Sequence, residues 1–163
     1  MKYTKERVLW ALLRLSLGWI FLWSFLDKMF GLGFDTAPEK SWVLGTSPTF
    51  GFLKFATHGP FANVFQSLAG NAVIDGLFML GLLLIGLALL LGIGIRIASS
   101  SGALLLSLMW LAALPPLHNP FLDEHIIYIL VLISLSFTKA GHWLGLGTWW
   151  SATALVKRYP FLE

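Results

Sequence analysis

The sequence contains no cysteine and few charged residues. Without a thiol, the chain cannot hold a thiolate-ligated iron–sulfur cluster, a C-x-x-C redox pair, a covalently attached c-type haem or a disulfide. Charged residues make up 12% of the 163 residues, whereas soluble domains carry about 25%. The formal net charge of +3 is too small for a phosphate-binding surface, so we predict no nucleic-acid partner.

Apolar residues make up 57% of the chain and fall in runs that are long enough to cross a hydrocarbon core of about 30 Å. This pattern excludes a soluble enzyme and predicts an all-α integral membrane protein, folded as a single membrane domain over residues 1–163. We predict a bundle of four transmembrane helices, with spans at residues 8–30, 72–95, 97–114 and 120–139. A long outer loop, residues 31–71, and an interfacial tail, residues 141–163, complete the chain.

The fourth span depends on where its helix begins. Residues 126–137 alone give about 18 Å of helix, which is too short to cross. Extension from Pro120 to Lys139 gives about 30 Å, with Asn119 as the N-cap and Pro120 at the first helical position, where both residues are favoured. The extended helix carries Asp123 and His125 within the span.

The basic residues predict the orientation of the bundle. If the four helices alternate in direction, seven cations share one side: Lys2, Lys5, Arg7, Arg96, Lys139, Lys157 and Arg158. The positive-inside rule then places both termini in the cytoplasm and the protein in the cell membrane. Six of the eight acids lie toward the outer side: Asp27, Asp35, Glu39, Asp75, Asp123 and Glu124.

Several of these acids lie at the outer ends of predicted helices. Asp27 and Lys28 end the first helix, Asp75 begins the second, and Asp123 and His125 begin the fourth. Two interpretations remain open. Carboxylates in a first helical turn stabilise the helix dipole, with Asp27 and Lys28 as a local pair, or the groups converge to form a small-molecule or proton site.

A quinone site needs an apolar slot, hydrogen-bond donors for the carbonyl oxygens and a source of protons. The candidate catalytic residues are Asp123, His125, Asp75 and Asp27, which would donate or relay protons. The candidate ligand-binding residues are Arg14, Phe21, Phe25, Lys28, Asn119 and Tyr128. Arg14 has two further interpretations, because it either extends to the inner headgroups or makes a buried structural pair.

The four histidines do not suggest a haem or a metal centre. A b-type haem in a bundle needs two histidines at matching depth on facing helices. His125 lies at a helix end, His58 and His118 lie in outer segments, and His142 lies on the inner side. A metal site built from His125, Asp123 and Asp75 is conceivable, but these residues are an unspecific set of ligands. We therefore predict no metal site and no intrinsic redox cofactor.

Several short motifs occur in a characteristic order along almost the whole chain. They are Arg14-x-x-x-Gly18, Asp27-Lys28-Met29-Phe30-Gly31, Ser47-Pro48-Thr49-x-Gly51-Phe52, Gly59-Pro60-Phe61-Ala62, Gly81 to Gly94 followed by Arg96, Asn119-Pro120-x-x-Asp123-x-His125, and Gly145-Leu-Gly147-x-Trp149-Trp150. Together they resemble the DoxX family, which includes the DoxD-type membrane subunit of thiosulfate:quinone oxidoreductase. The resemblance implies a four-helix membrane protein, with some members tied to sulfur-compound oxidation or oxidative-stress complexes. It implies no particular catalytic residue.

These observations predict the membrane subunit of a redox system that binds a quinone or a similar lipophilic molecule near the outer face. Electrons would come from a redox partner protein or from a bound substrate, because the chain offers no redox centre of its own. Two alternatives remain: a non-enzymatic membrane scaffold that recruits a partner protein, and a small transporter that works as a homo-oligomer. Membrane lipids are expected partners under all three.

Overall fold

The computed structural model of the protein describes residues 4–116 and 119–163. Within these ranges the secondary structure is helical and includes no strand. The helices are α1 (Lys5–Phe30), α2 (Ala62–Ser67), α3 (Ala72–Leu91), α4 (Ile95–Ala112), α5 (Glu124–Thr138), α6 (Gly147–Ser151) and α7 (Ala154–Arg158). Lys2 and His118, which enter the predictions above, lie outside the described residues.

Three helices, α1, α3 and α4, are long and apolar enough to cross a membrane. This confirms the first three predicted spans as apolar helices, although α1 begins three residues earlier and α4 ends two residues earlier than predicted, and the boundary between α3 and α4 also shifts. Gly92 and Gly94 adopt positive φ angles of 76° and 59°, a conformation that glycine reaches without steric cost. For this reason α3 ends at Leu91 and α4 begins at Ile95, whereas the prediction placed this boundary at Arg96.

The predicted start of the fourth helix is wrong. Asp123 is the N-cap of α5, and its side chain accepts hydrogen bonds from the backbone N–H groups of His125 and Ile126 at 3.0 and 3.4 Å. Asn119 instead closes a separate turn by accepting from the N–H groups of Phe121 and Leu122, both at 3.1 Å. Since α5 has 15 residues, it is about 22 Å long, less than the thickness of the hydrocarbon core.

Apolar side chains of the four longest helices and of the turn that follows α5 meet in one core. Its buried members are Leu17, Phe21, Leu82, Ile85, Leu89, Ile95, Ala98, Leu106, Leu132, Leu135 and Ala140. Helix α1 packs against α3, and α4 packs against α5.

Glycines bring the backbones of α1 and α3 into direct contact. A Cβ atom added to Gly18 would lie 2.9 Å from the backbone nitrogen of Leu90, and one added to Gly86 would lie 2.7 Å from that of Leu22. Small residues at helix contacts of membrane proteins allow such an approach. The pairing of α1 with α3 therefore depends on the missing side chains at these two positions.

Arg14 fixes α1 at the end of the bundle that carries residues 139–163, here called the tail end. Its side chain is fully buried. The guanidinium donates to the carbonyl oxygens of Leu89 and Leu90, where α3 ends, and to those of Trp143 and Leu144 in the tail. The last carbonyls of a helix lack partners within the helix and lie at the negative end of its dipole, so a cation is stabilised there.

The expectation that Arg14 extends to the headgroups is therefore wrong. Arg14 makes a buried structural contact, as the other interpretation proposed, but its partners are backbone carbonyls instead of an acid. A Cβ atom added to Gly145 would lie 3.0 Å from a terminal nitrogen of the guanidinium. This glycine thus leaves room for the guanidinium.

The tail, residues 141–163, folds back against the tail end. The N–H of Leu146 donates to the carbonyl oxygen of Leu91 at 2.8 Å, and the N–H of Arg96 donates to that of Glu163 at 2.9 Å. The Glu163 carboxylate accepts from Lys139 and lies 3.0 Å from His142. Chiefly through the hydrogen bond from Lys139, the pKa of Glu163 falls below its ordinary value.

Residues 31–71, here called the loop, fold over the opposite end of the bundle, here called the loop end. The loop contains short helical turns at residues 38–40, 42–44, 52–56 and 59–61, followed by α2. Its backbone is fixed to the end of α4 at His58, whose N–H donates to the carbonyl oxygen of Ala112 at 3.2 Å. The loop thereby forms part of the packed structure at the loop end.

Candidate ligand-binding site

The Asp27 carboxylate fixes the start of the loop. Asp27 is 1% exposed, and its two oxygens accept from the backbone N–H groups of Phe34 and Asp35 at 3.2 and 3.1 Å. None of the salt bridges among the described residues joins Asp27 to Lys28. The predicted ion pair between Asp27 and Lys28 is therefore wrong, because backbone N–H groups of the loop bind the Asp27 carboxylate.

Asp75 holds a second part of the loop. It lies in the first turn of α3 and is 5% exposed. Its Oδ1 accepts hydrogen bonds from the hydroxyl groups of Ser47 at 2.9 Å and Thr49 at 2.5 Å. Asp75 thus fastens residues 47–49 to the start of α3.

Asp123 and His125 interact with each other. Besides capping α5, Asp123 places Oδ2 2.9 Å from Nδ1 of His125, and both side chains are about 15% exposed. Together with the exposed Glu124, they offer metal-ligand atoms within 4.8 Å of one another. Because both oxygens of Asp123 are already engaged, we assign these three consecutive residues to capping of the helix.

The aromatic residues expected to line a slot are part of the core. Phe21 is buried in it, and Phe25 and Tyr128 pack against it. Phe21, Phe25 and Tyr128 are not among the residues that line the cavity at the loop end.

A cavity of about 350 Å³ lies at the loop end, between the loop, α3 and α4. Its lining is Lys28, Pro48, Thr49, Phe52, Leu53, Phe65, Leu68, Ile74, Leu77, Phe78, Leu105, Leu108 and Met109. Sites for small molecules usually measure about 300–1,000 Å³, and an apolar cavity of about 150 Å³ already binds benzene. This cavity has room for an aromatic ring with several attached groups.

Two polar side chains contribute to this apolar lining. Lys28, in the last turn of α1, is half-buried, and none of the salt bridges among the described residues includes it. Thr49 donates its hydroxyl hydrogen to Asp75, so its oxygen can only accept a further hydrogen bond. The cavity therefore combines an apolar body with one cationic donor and one acceptor.

Of the ten residues predicted from the sequence, only Lys28 lines the cavity, and Asp75 reaches it through Thr49. Arg14 binds carbonyl groups at the tail end, and Asn119 closes a turn. The sequence prediction missed the lining residues of the loop, of α3 and of α4. The motif Ser47-Pro48-Thr49 is one of those that carry the family resemblance, but its hydrogen bonds to Asp75 cannot be deduced from the sequence.

Asp75→Ala is expected to release residues 47–53 from α3. The hydroxyl groups of Ser47 and Thr49 lose their common acceptor, and a buried unsatisfied group costs about 1–3 kcal/mol. Hydrogen exchange followed by mass spectrometry is expected to show at least about tenfold faster exchange in this segment. Asp35→Ala, at an exposed position of the same loop, is the control, and equal exchange in both variants would argue against the assigned contact.

No family model, no curated protein and no solved structure matches this chain.

Proposed function

We propose that this chain is a DoxX-like multi-pass membrane protein that serves as the membrane subunit of a redox system. In this proposal, the cavity at the loop end binds a quinone or a similar lipophilic molecule. The supporting observation is the cavity itself: about 350 Å³ of apolar space with Lys28 and Thr49 as its polar side chains. These are the properties expected of a site for a largely apolar molecule with a small polar head.

A quinone matches these properties. Its ring fits among apolar side chains such as Phe78, Leu105 and Met109, and its carbonyl oxygens form the small polar head. The space accommodates the ring and its nearest substituents, so an isoprenoid tail would extend out of the cavity.

The hydrogen bond from Thr49 to Asp75 offers a route for a proton. When a quinol is oxidised to a quinone, it loses two protons and two electrons. One hydroxyl proton can move to the Thr49 oxygen while the Thr49 proton moves to Asp75, and the second hydroxyl proton would pass to water at the outer side. Asp75 would then be the proton acceptor of the site, a role in which a carboxylate acts as a general base. The two electrons would pass to a redox partner protein. In quinone reduction, the direction predicted from the sequence, the partner would supply two electrons and Asp75 would return its proton through Thr49.

The proposal places the loop end outside and the tail end in the cytoplasm of the cell membrane. Helix α5 and its flanking segments would form the fourth crossing. The positive-inside rule supports this orientation, since the tail end and the segments near it carry the following cations among the described residues: Lys5, Arg7, Arg96, Lys139, Lys157 and Arg158.

A scaffold that recruits a partner protein is the second candidate. The observation that favours it is the exposure of apolar side chains in the loop: Phe34 is 73%, Leu44 68% and Phe55 78% exposed. Exposed apolar patches mark contacts with proteins or membranes. A scaffold does not require an occupied cavity, so ligand binding separates the two candidates.

Leu105→Trp is expected to fill the cavity and to weaken the binding of a short-tailed quinone at least tenfold. Leu105 lines the cavity, and a tryptophan at this position would occupy space that the ring needs. The matched control is Leu104→Trp on the same helix, because Leu104 is 63% exposed and does not line the cavity.

Binding is measured by isothermal titration calorimetry in detergent micelles. We expect wild type and Leu104→Trp to bind with equal affinity. Equal affinity of Leu105→Trp and wild type would contradict the proposed site, and no binding of any lipophilic probe to folded wild type would favour the scaffold.

A further inference from the structure

We propose that the Lys28 ammonium binds the head of the ligand, and that the ligand is an amphiphile whose head presents an oxygen acceptor, either a carbonyl or a carboxylate. This inference rests on the proposed function, since it assumes that the cavity is a ligand site. It adds the residue that recognises the head and the chemical class of the head.

Three acids of the loop end are engaged by groups other than Lys28. The Asp27 carboxylate accepts two backbone N–H groups, the Asp75 carboxylate accepts two hydroxyl groups, and Asp123 caps α5 and contacts His125. The salt bridges among the described residues leave Lys28 unpaired. A cation is thus held at the wall of the cavity without a counter-ion from the described parts of the chain.

Apart from Lys28, the side chains that line the cavity offer the head of a ligand no donor. Thr49 is the other polar side chain of the lining, and its hydroxyl hydrogen is donated to Asp75. An acceptor on the ligand therefore finds its side-chain donor at Lys28 and not at Thr49. This difference orients the ligand, with the head at Lys28 and the apolar body against α3 and α4.

An oxygen acceptor in the cavity would also lower the free energy of the Lys28 ammonium. A cation beside apolar groups is stabilised when an oxygen acceptor replaces its water, because hydrogen bonds between charged partners are about twice as strong as neutral ones. A carbonyl oxygen of a quinone and the carboxylate of a fatty acid share this chemistry. The two sources differ in charge, so an experiment can distinguish them.

The test measures the affinity of a short-tailed quinone and of decanoate for wild type, Lys28→Met and Lys28→Arg by calorimetry in detergent. Methionine keeps the length and apolar character of the side chain and removes the ammonium. We expect Lys28→Met to bind the ligand about 10- to 100-fold more weakly, as loss of a hydrogen bond to a charged group implies. Lys28→Arg keeps a cationic donor and is expected to retain affinity within about threefold of wild type.

Lys54→Met is the matched control. Lys54 is also a lysine of the loop end, but it is exposed and does not line the cavity. Its substitution removes the same charge and is expected to leave both affinities unchanged. An equal loss in Lys54→Met and Lys28→Met would overturn the inference, because the effect would then come from the overall charge of this end.

The outcomes separate the inference from the proposed function. If the quinone binds and Lys28→Met binds it as tightly as wild type, the inference fails and the proposed function stands. If only decanoate binds, and does so through Lys28, the inference stands and the quinone function fails. If neither molecule binds folded wild type, both are overturned.

Discussion

Arg14→Met is expected to lower the free energy of unfolding by about 3–5 kcal/mol, as does removal of one partner from a buried charge contact. The substitution leaves the carbonyl oxygens of Leu89, Leu90, Trp143 and Leu144 without their donor. These groups belong to α3 and to the tail, so both elements lose their connection to α1. The largest loss of order is therefore expected at the tail end.

The control for this experiment is Arg7→Met, two turns earlier on the same helix. Arg7 is exposed and lies over the ring of Trp143, with its guanidinium carbon 5.7 Å from the ring centre. Such a contact contributes about 0.5–1 kcal/mol at an exposed site. Unfolding in mixed detergent micelles measures the free energy of unfolding of both variants. If Arg14→Met lowers it no more than Arg7→Met does, the contacts of Arg14 with the carbonyl groups do not stabilise the fold.

Gly86→Ala is expected to destabilise the protein by about 1–3 kcal/mol, the usual effect of overpacking a tight contact. The added Cβ atom would lie 2.7 Å from the backbone nitrogen of Leu22 and 3.0 Å from its Cα. A backbone atom cannot move aside as a flexible side chain can. Helix α1 would therefore have to move away from α3.

Gly81→Ala on the same helix is expected to stabilise the protein. An added Cβ atom at Gly81 has no neighbour within 4 Å, and alanine in a helix is favoured over glycine by about 1 kcal/mol. Thermal unfolding of the two variants in one detergent measures the difference. Similar values for both would mean that α1 and α3 do not touch at Gly86.

The apolar runs were sufficient to predict α1, α3 and α4, because hydropathy depends on local composition alone. The start of α5 could not be predicted in this way. Asn119 and Asp123 are equally good N-caps by residue type, and the choice depends on tertiary contacts. The indole N–H of Trp110 donates to the carbonyl oxygen of Phe121 at 2.8 Å, which ties residue 121 to α4 in a non-helical segment.

The candidate site could be predicted only in part. The sequence indicated that Lys28 and Asp75 lie at the same end of the bundle. It could not show that the loop supplies local donors to Asp27 and Asp75. These contacts remove the expected convergence of acids and leave the cation as the free polar group of the cavity.

The contacts of Arg14 likewise could not be predicted from the sequence. Its position on α1 is consistent with either a side chain that extends toward headgroups or one that is buried. The return of the tail decides between them, because Trp143 and Leu144 supply two of the four acceptors. A contact across 129 residues of sequence cannot be deduced from the spacing of apolar residues.

Native mass spectrometry of protein released from its own membrane tests the central claim most directly. We predict one bound lipophilic molecule per chain in wild type and in Leu104→Trp, and loss of this molecule in Leu105→Trp. A bound molecule that persists in Leu105→Trp, or folded wild-type protein that carries none, would contradict the claim that the cavity at the loop end is a ligand-binding site.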